Sequence, residues 1–377
     1  MNRRLLLYVQ SLLGIGHLAR AARLARAFAA AGWEVDLVSG GMPVAELDLG
    51  GAHLVQLPPL SSKDESFTEL VDDMGKPPDA AWCGARRERL LAFFAERRPD
   101  VLMLEMFPFG RRAFAFELLA LIDAAEARGL PVAVSLRDIL VAKGDRKRDR
   151  AIVRLVREKI ARVLVHGDPA FLRLEASFPA ASEIADKLVY TGYVAESRPR
   201  PAEAIPGDEI LVSAGGGAVG GPLLEAALAA RQATAAAGLP WRLISGPNLP
   251  ESEFVSLAGR VPAGVALERF RDDFPLLLSR CRLSVSQAGY NTVMDILAAG
   301  ARALLIPFAE AGESEQTARA RLLAARGLVD LMEPPAEPGR LARAIDLALG
   351  RRRPAVSGID LAGAAGTARQ ILAMLGG

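Results

Sequence analysis

The strongest constraint on the fold is a grammar that the chain uses twice: a short apolar run, a glycine-bearing turn, a helix, then another apolar run. Leu5-Leu-Leu-Tyr-Val9 reads as a buried strand, and Leu18 to Ala31 as a helix with Leu18, Ala22, Ala25 and Phe28 on one face. Gly32 stops that helix before the strand Trp33-Glu-Val-Asp-Leu-Val38. Val101-Leu-Met-Leu-Glu105, Val132-Ala-Val-Ser-Leu136 and Arg162-Val-Leu-Val-His166 continue the series, with helices expected over Phe114 to Arg128 and Arg150 to Ala161. Strands alternating with helices imply an α/β fold on a parallel sheet. Only Pro58 to Pro78 breaks the pattern, and it is expected to form a long surface loop.

The proline-rich, aperiodic segment Ser197-Arg-Pro-Arg-Pro-Ala-Glu-Ala-Ile-Pro-Gly207 suits a semi-rigid linker. After it the grammar restarts. Glu209-Ile-Leu-Val-Ser213 is a strand, Ala214 to Gly221 a glycine loop, and Pro222 opens a helix in its favoured first turn. Trp241-Arg-Leu-Ile-Ser245, Val265-Ala-Leu267 and Ala303-Leu-Leu-Ile-Pro-Phe308 supply further strands. The expected organisation is a first domain over 1–196, a linker over 197–207 and a second domain over 208–360. A last helix over 361–377 is expected to cross back to the first domain.

Bulk properties narrow the function. A chain of 377 residues, 51% hydrophobic and 24% charged, is a globular protein of about two domains. Its 46 Lys+Arg against 44 Asp+Glu leave a net charge of +2, which implies no global attraction to nucleic acid. The basic start, Met1 to Val9, ends at Gln10-Ser11 without a small-residue cleavage pattern, and no apolar run reaches the roughly 18 residues of a spanning helix. Two cysteines, Cys83 and Cys281, form neither a disulfide framework nor a zinc cluster. The expected location is cytoplasmic, with at most peripheral contact at the inner membrane face.

The chemistry-bearing motifs sit at strand ends. Ser284-Val-Ser-Gln287-Ala288-Gly289-Tyr290-Asn291-Thr292 reads as a buried strand, a Gly289 turn and a helix starting near Asn291 and stopping at Gly300, which presents free backbone N–H groups to an anion. One turn into the helix, Asp295 offers a carboxylate for vicinal hydroxyls, or closes a capping box with Thr292. Gly215-Gly216-Gly217 follows a strand of the same sheet and can approach a phosphate, or serves only a tight turn. In the first half, Gly14-Ile-Gly16-His17 lies between strand and helix. His17 there is a candidate base, its pKa lowered by the positive helix end, or merely a cap.

Glu105 closes an apolar strand and is placed to orient a base or hold an acceptor, or to pair with Arg111 or Arg112. Arg137-Asp138 and His166-Gly-Asp168 also follow strands, and either line the same cleft or serve their loops. Arg20, Arg23 and Arg26, like Arg146-Lys-Arg148, read as solvated helix faces. With Ala19 as its last member, Gly14 to Ala19 also fits a dinucleotide fingerprint, although Gln10 to Leu13 separate it from the strand. Asp72-Asp73 and Asp272-Asp273 do not make a DxD metal site, and no metal or cofactor is implied.

Taken together, these residues resemble the GT-B glycosyltransferases. The particular likeness is to the MurG-like family that transfers N-acetylglucosamine from a UDP donor, and to a group of bacterial predicted glycosyltransferases related to it. The resemblance spans both halves, most specifically Gly14 to Phe28 and Phe270 to Gly327. It implies two Rossmann-like parallel-sheet domains facing each other across a cleft, with an inverting, metal-independent transfer to a hydroxyl acceptor: lipid, glycan or small molecule. By position, Phe270-Arg271 matches the loop on the uracil, Asp295 the ribose carboxylate and Glu315-Gln316 the pair on the donor sugar. Gly215 to Gly217 and Gly289 to Thr292 match the diphosphate loops, and His17 the histidine proposed to deprotonate the acceptor. The chain departs from the family in its shorter first glycine loop, in Asp rather than Glu at 295 and in Glu rather than Gln at 315. Gly-x-Gly-His-x-x-Arg is also similar to nucleotide-sugar hydrolases of nonulosonic acid synthesis, which use water as acceptor. An apolar rim of Phe107, Phe109 and Phe114 would favour a lipid or glycan instead. An NAD(P)-binding oxidoreductase and a non-enzymatic nucleotide-sugar sensor are the remaining readings.

Overall fold

A computed structural model describes residues 3–44, 47–63, 69–140, 144–196, 207–217, 219–308, 315–356 and 358–376. The chain divides into two units, Met1–Val194 together with Ile359–Gly377, and Ala195–Gly358. The expected linker lies almost wholly outside the described residues.

The first unit runs β1 (Arg4–Val9), α1 (Gly16–Ala30), β2 (Glu34–Ser39), β3 (His53–Gln56), a two-stranded antiparallel ribbon of β4 (Ser61–Ser62) and β5 (Leu70–Val71), α2 (Ala80–Arg97), β6 (Val101–Glu105), α3 (Ala115–Ala127), β7 (Val132–Arg137), α4 (Arg146–Lys159), β8 (Arg162–His166) and β9 (Leu188–Tyr190). Seven of these strands form one parallel sheet in the order β3-β2-β1-β6-β7-β8-β9. Both faces are covered, which is why Leu5 to Val9 and Val101 to Leu104 are apolar without alternation and fully buried. The stretch from Pro58 to Pro78 therefore contains a small ribbon as well as loop. Helix α4 starts four residues earlier than expected because Asp145 caps it, accepting from the N–H groups of Lys147 and Arg148 at 3.0 Å each. Asp79 caps α2 in the same way.

Beneath the sheet's C-terminal edge, Arg86 of α2 and Glu117 of α3 form a fully buried bidentate pair, Nε–Oε2 at 2.9 Å and Nη2–Oε1 at 3.0 Å. Tyr8 donates to the same Glu117, and Arg86 also bonds Gln10 Oε1 and the carbonyls of Gly40 and Pro58. A buried ion pair is tolerable only when its remaining donors and acceptors are satisfied in this way. The pair thereby ties Gln10, the first residue after β1, to the loops after β2 and β3.

The second unit runs β10 (Ile210–Ser213), α5 (Gly221–Arg231), β11 (Trp241–Ile244), α6 (Glu251–Ala258), β12 (Val265–Glu268), α7 (Phe274–Arg280), β13 (Leu283–Ser286), α8 (Tyr290–Ala299), β14 (Ala303–Leu305), α9 (Glu315–Ala325), β15 (Asp330–Leu331) and α10 (Pro338–Leu349). Its sheet is again parallel, in the order β12-β11-β10-β13-β14-β15. The last helix, α11 (Gly363–Met374), packs on α1 in the first unit. Its first turns also press on the segment after β9, where a Cβ at Gly363 or Gly366 would lie 2.2 Å from the carbonyl oxygen of Gly192 or Thr191. Among the described residues no helix is long and apolar enough to cross a membrane.

Candidate active site

Each sheet reverses its strand order once, between β1 and β6 in the first unit and between β10 and β13 in the second. The loops leaving such a pair go to opposite faces of the sheet, so a crevice opens outside the strands' C-terminal ends. His17 and Glu105 fall at the first of these places, and the Gly215 to Gly217 loop and the start of α8 at the second.

In the first unit, the β1–α1 loop carries Gly14, Gly16 opens α1, and His17 is the second residue of that helix. Its Nδ1 lies 2.8 Å from Oε1 of Glu105, the last residue of β6. Arg20, one turn along α1, places Nη2 on the same carboxylate oxygen. The spacing explains the assembly, because residues three apart on a helix share a face. Glu105 and Arg20 are buried, and the His17 side chain is 16% exposed. Arg111 is brought near by its Nε, which donates to the Gln10 carbonyl at 2.7 Å.

Electrostatics divide the labour. Burial, opposed by Glu105 and helped by Arg111 and Arg20, pushes the His17 pKa down to about 3. Burial would raise Glu105, but its partners His17, Arg20 and Arg111 outweigh it and hold the carboxyl below the ordinary carboxylate range. With the imidazole neutral at pH 7, the cations that keep Glu105 ionised are Arg20 and Arg111. A carboxylate can only accept, so Nδ1 carries the hydrogen and Nε2 is left with a lone pair. The depression of His17 is thus led by burial rather than by the helix end.

Several expectations change. Arg20 is not on a wet face; it is a core residue, 2% exposed. Glu105 pairs with His17 and Arg20 instead of Arg111 or Arg112. Phe107, Phe109 and Phe114 are buried core side chains, with Phe109 packed edge-on against Phe178, so they form no rim. His166 is enclosed between Ser135 Oγ at 2.7 Å and Thr191 Oγ1 at 3.0 Å and lines no cleft. Asp168 ties down the C-terminal segment by accepting from the Asp360 N–H. Arg148 is half-buried and donates to the Phe109 carbonyl at 2.7 Å.

In the second unit, α8 begins at Tyr290, with Gly289 as a cap residue that has no side chain to satisfy the first N–H groups. Thr292 is already inside the helix, so it cannot be the N-cap of a box with Asp295. The Gly215 to Gly217 loop lies alongside, close enough that a Cβ at Gly215 would be 3.9 Å from Thr292 Oγ1. Gly215 has φ +74, and Gly246 so closely abuts it that a Cβ there would come within 2.0 Å of the Gly215 carbonyl oxygen. Asn248 Nδ2 bonds the Gly216 carbonyl at 2.8 Å, and Gln287 bonds the Val219 carbonyl.

Asp295 is buried on the first turns of α8, and Glu315 is buried at the start of α9. Gln316 Oε1 accepts from the Phe308 N–H at 3.1 Å. Phe270 and Arg271 follow the edge strand β12; the Phe270 ring is exposed, and Arg271 is chelated by Asp273 at 2.8 Å. Sequence reasoning missed Arg319, a buried side chain of α9 that bonds the Ala288 carbonyl at 3.2 Å with its guanidinium over the Tyr290 ring. Among the described residues no group of three His, Cys, Asp or Glu side chains could hold a metal ion.

Comparison with known proteins agrees with this architecture. A profile described as a glycosyl transferase 4-like domain matches residues 16–175, and one described as a glycosyltransferase family 28 C-terminal domain matches residues 215–351. The curated UDP-N-acetylglucosamine--N-acetylmuramyl-(pentapeptide) pyrophosphoryl-undecaprenol N-acetylglucosamine transferase of Rhodospirillum centenum is 32% identical over 142 residues, 37% of this chain and 38% of that protein. The match therefore spans well under half of that relative's length. Among solved structures, the calicheamicin glycosyltransferase CalG4 superposes with a TM-score of 0.64 at 16% identity, covering 100% of this chain and 99% of that one. MurG of Acinetobacter baumannii does so with a TM-score of 0.57 at 16% identity, covering 98% and 99%. Two glycosyltransferase domain profiles thus lie in tandem on a pair of Rossmann-like parallel-sheet units, and the chain has the GT-B fold.

Proposed function

We propose that the protein moves a sugar with inversion from a nucleoside-diphosphate donor, a UDP-sugar such as UDP-N-acetylglucosamine, to a hydroxyl acceptor. The observation that carries this reading is the His17–Glu105 dyad at the first unit's switch point, with the Nε2 lone pair left for substrate. Nε2 takes the acceptor's proton as that oxygen attacks the anomeric carbon, and the bond from that carbon to the diphosphate oxygen breaks. Glu105 stabilises the imidazolium that forms.

The leaving diphosphate needs positive charge. In this reading the α8 N–H groups at Tyr290 to Thr292 and the Gly215 to Gly217 backbone supply it, so no metal takes part. Gly14 and Gly16 let substrate approach the first unit's backbone. Gln287, Ala288 and Gly289 shape the second loop, and Asn291 stands in the first turn of α8. Asp295 holds the ribose hydroxyls, Phe270 and Arg271 the base, and Glu315 and Gln316 the sugar. The printed name of the curated Rhodospirillum centenum relative, a UDP-N-acetylglucosamine transferase, and the nucleotide-compatible loops support UDP as donor.

The test separates chemistry from binding. His17→Ala should lower kcat by about 10²- to 10⁴-fold, the usual worth of a general base, while UDP binding measured calorimetrically changes little. Loss of UDP binding would contradict the assignment. Thermal-shift screening of UDP-, GDP- and dTDP-sugars checks the donor, and release of free sugar with no acceptor present would favour hydrolysis.

A further inference from the structure

Among the described residues Arg20 is the one buried cation in direct contact with the dyad, and the proton transfer itself does not run through it. Its Nη2 and His17 Nδ1 converge on a single atom, Glu105 Oε1. The other oxygen, Oε2, is buried and makes no hydrogen bond among the described residues. A proton arriving at Glu105 would therefore sit on Oε2, leaving Oε1 as a carbonyl, or rotate the group to present O–H toward the imidazole. In the second arrangement Nδ1 becomes the acceptor, Nε2 carries the hydrogen, and the base is disabled.

The surroundings make the outcome depend on Arg20. Around the carboxylate stand Arg20 from α1, Arg111 from the loop after β6, Arg137 at the end of β7 and the neutral His166 at the end of β8, with Tyr8 of β1 further along the sheet. Of these cations only Arg20 touches Glu105; Arg111 is anchored on the Gln10 carbonyl. An unpaired buried carboxylate lowers its cost by taking up a proton.

We propose that Arg20 is a positioning residue that locks the His17 tautomer: by keeping Glu105 an acceptor only, it fixes hydrogen on Nδ1 and the lone pair on Nε2. The consequence for catalysis rests on the glycosyl-transfer reading, but the tautomer itself does not.

The chain has only three histidines, so ¹⁵N-histidine labelling resolves the His17 ring in long-range ¹H–¹⁵N spectra of the full-length protein. His53 and His166 serve as folding controls. The wild type should show hydrogen on Nδ1. Arg20→Met should show it on Nε2, with kcat down about 10²- to 10⁴-fold, as when a histidine base is held in the wrong tautomer, and the KM for donor within about twofold. Arg20→Lys, which keeps the charge, should retain the Nδ1–H form and most of the activity. If Arg20→Met keeps Nδ1–H while its His166 signal is native, the lock is refuted whether or not activity falls. A tautomer switch without any glycosyl transfer in the wild type would instead sink the reaction reading and leave the lock standing.

Discussion

Two histidines of the first unit, His166 fully enclosed and His17 largely so, make a quantitative forecast about acid. His17 and His166 each have a folded-state pKa of about 3 against an ordinary 6.5, both led by burial. The unfolded chain therefore binds protons that the native state refuses. The stability so gained is fully present above pH 6.5 and is lost as pH falls toward 3. Between pH 7 and pH 5 the linkage amounts to about 2 kcal/mol per histidine, about 4 kcal/mol together, a large share of a typical domain's stability. Glu117, raised by burial, acts in the opposite sense, so the clean quantity is a difference between proteins.

The assay is urea unfolding followed by tryptophan fluorescence in a Trp241→Phe background, which leaves Trp33 and Trp82, both in the first unit, as reporters. His166→Gln should lose about 2 kcal/mol less than its parent on going from pH 7 to pH 5. Equal losses in parent and variant would refute the account of His166 as a group held neutral by burial.

Three more outcomes follow from specific contacts. Arg86→Met strands Glu117 in the core and should cost about 3–5 kcal/mol in urea unfolding of the first unit. Gly246→Ala places a methyl 2.0 Å from the Gly215 carbonyl at φ +82, so the glycine loop must shift; UDP affinity by calorimetry should fall more than about tenfold, with the His17 ring signals unmoved. Gly366→Ala drives a methyl to 2.2 Å from the Thr191 carbonyl, and overpacking at α11 should lower first-unit stability by about 1–3 kcal/mol.

Much of the architecture was legible in the sequence because strands buried on both faces write themselves as unbroken apolar runs, as in Leu5 to Val9 and Val101 to Leu104. The short edge strands β3 and β15 were not, since each is only partly buried and carries charged or polar residues. Helix α2 escaped notice because its buried set is sparse: Arg86, Leu90 and Phe94, with an arginine where an apolar residue would mark the face. The same substitution of charge for grease hid Arg20 and Arg319. An arginine reads as solvated until its partner is known, and those partners, Glu105 and the Ala288 carbonyl, lie far away in sequence. His17 to Arg20 at helical spacing was the available clue. The aromatic residues after β6 misled in the opposite direction, because a loop that plunges into the core is not recognisable from its composition.

The excursion of the chain through Ala195–Gly358 before Gly363–Met374 returns to α1 has a consequence for biosynthesis. A ribosome delivers the inner globule whole while the outer one still waits for its closing segment, so the N-terminal half emerges early yet matures last. Premature termination between Gly358 and the end of α11 would release a protein whose second unit is whole and whose His17-bearing unit is missing a wall.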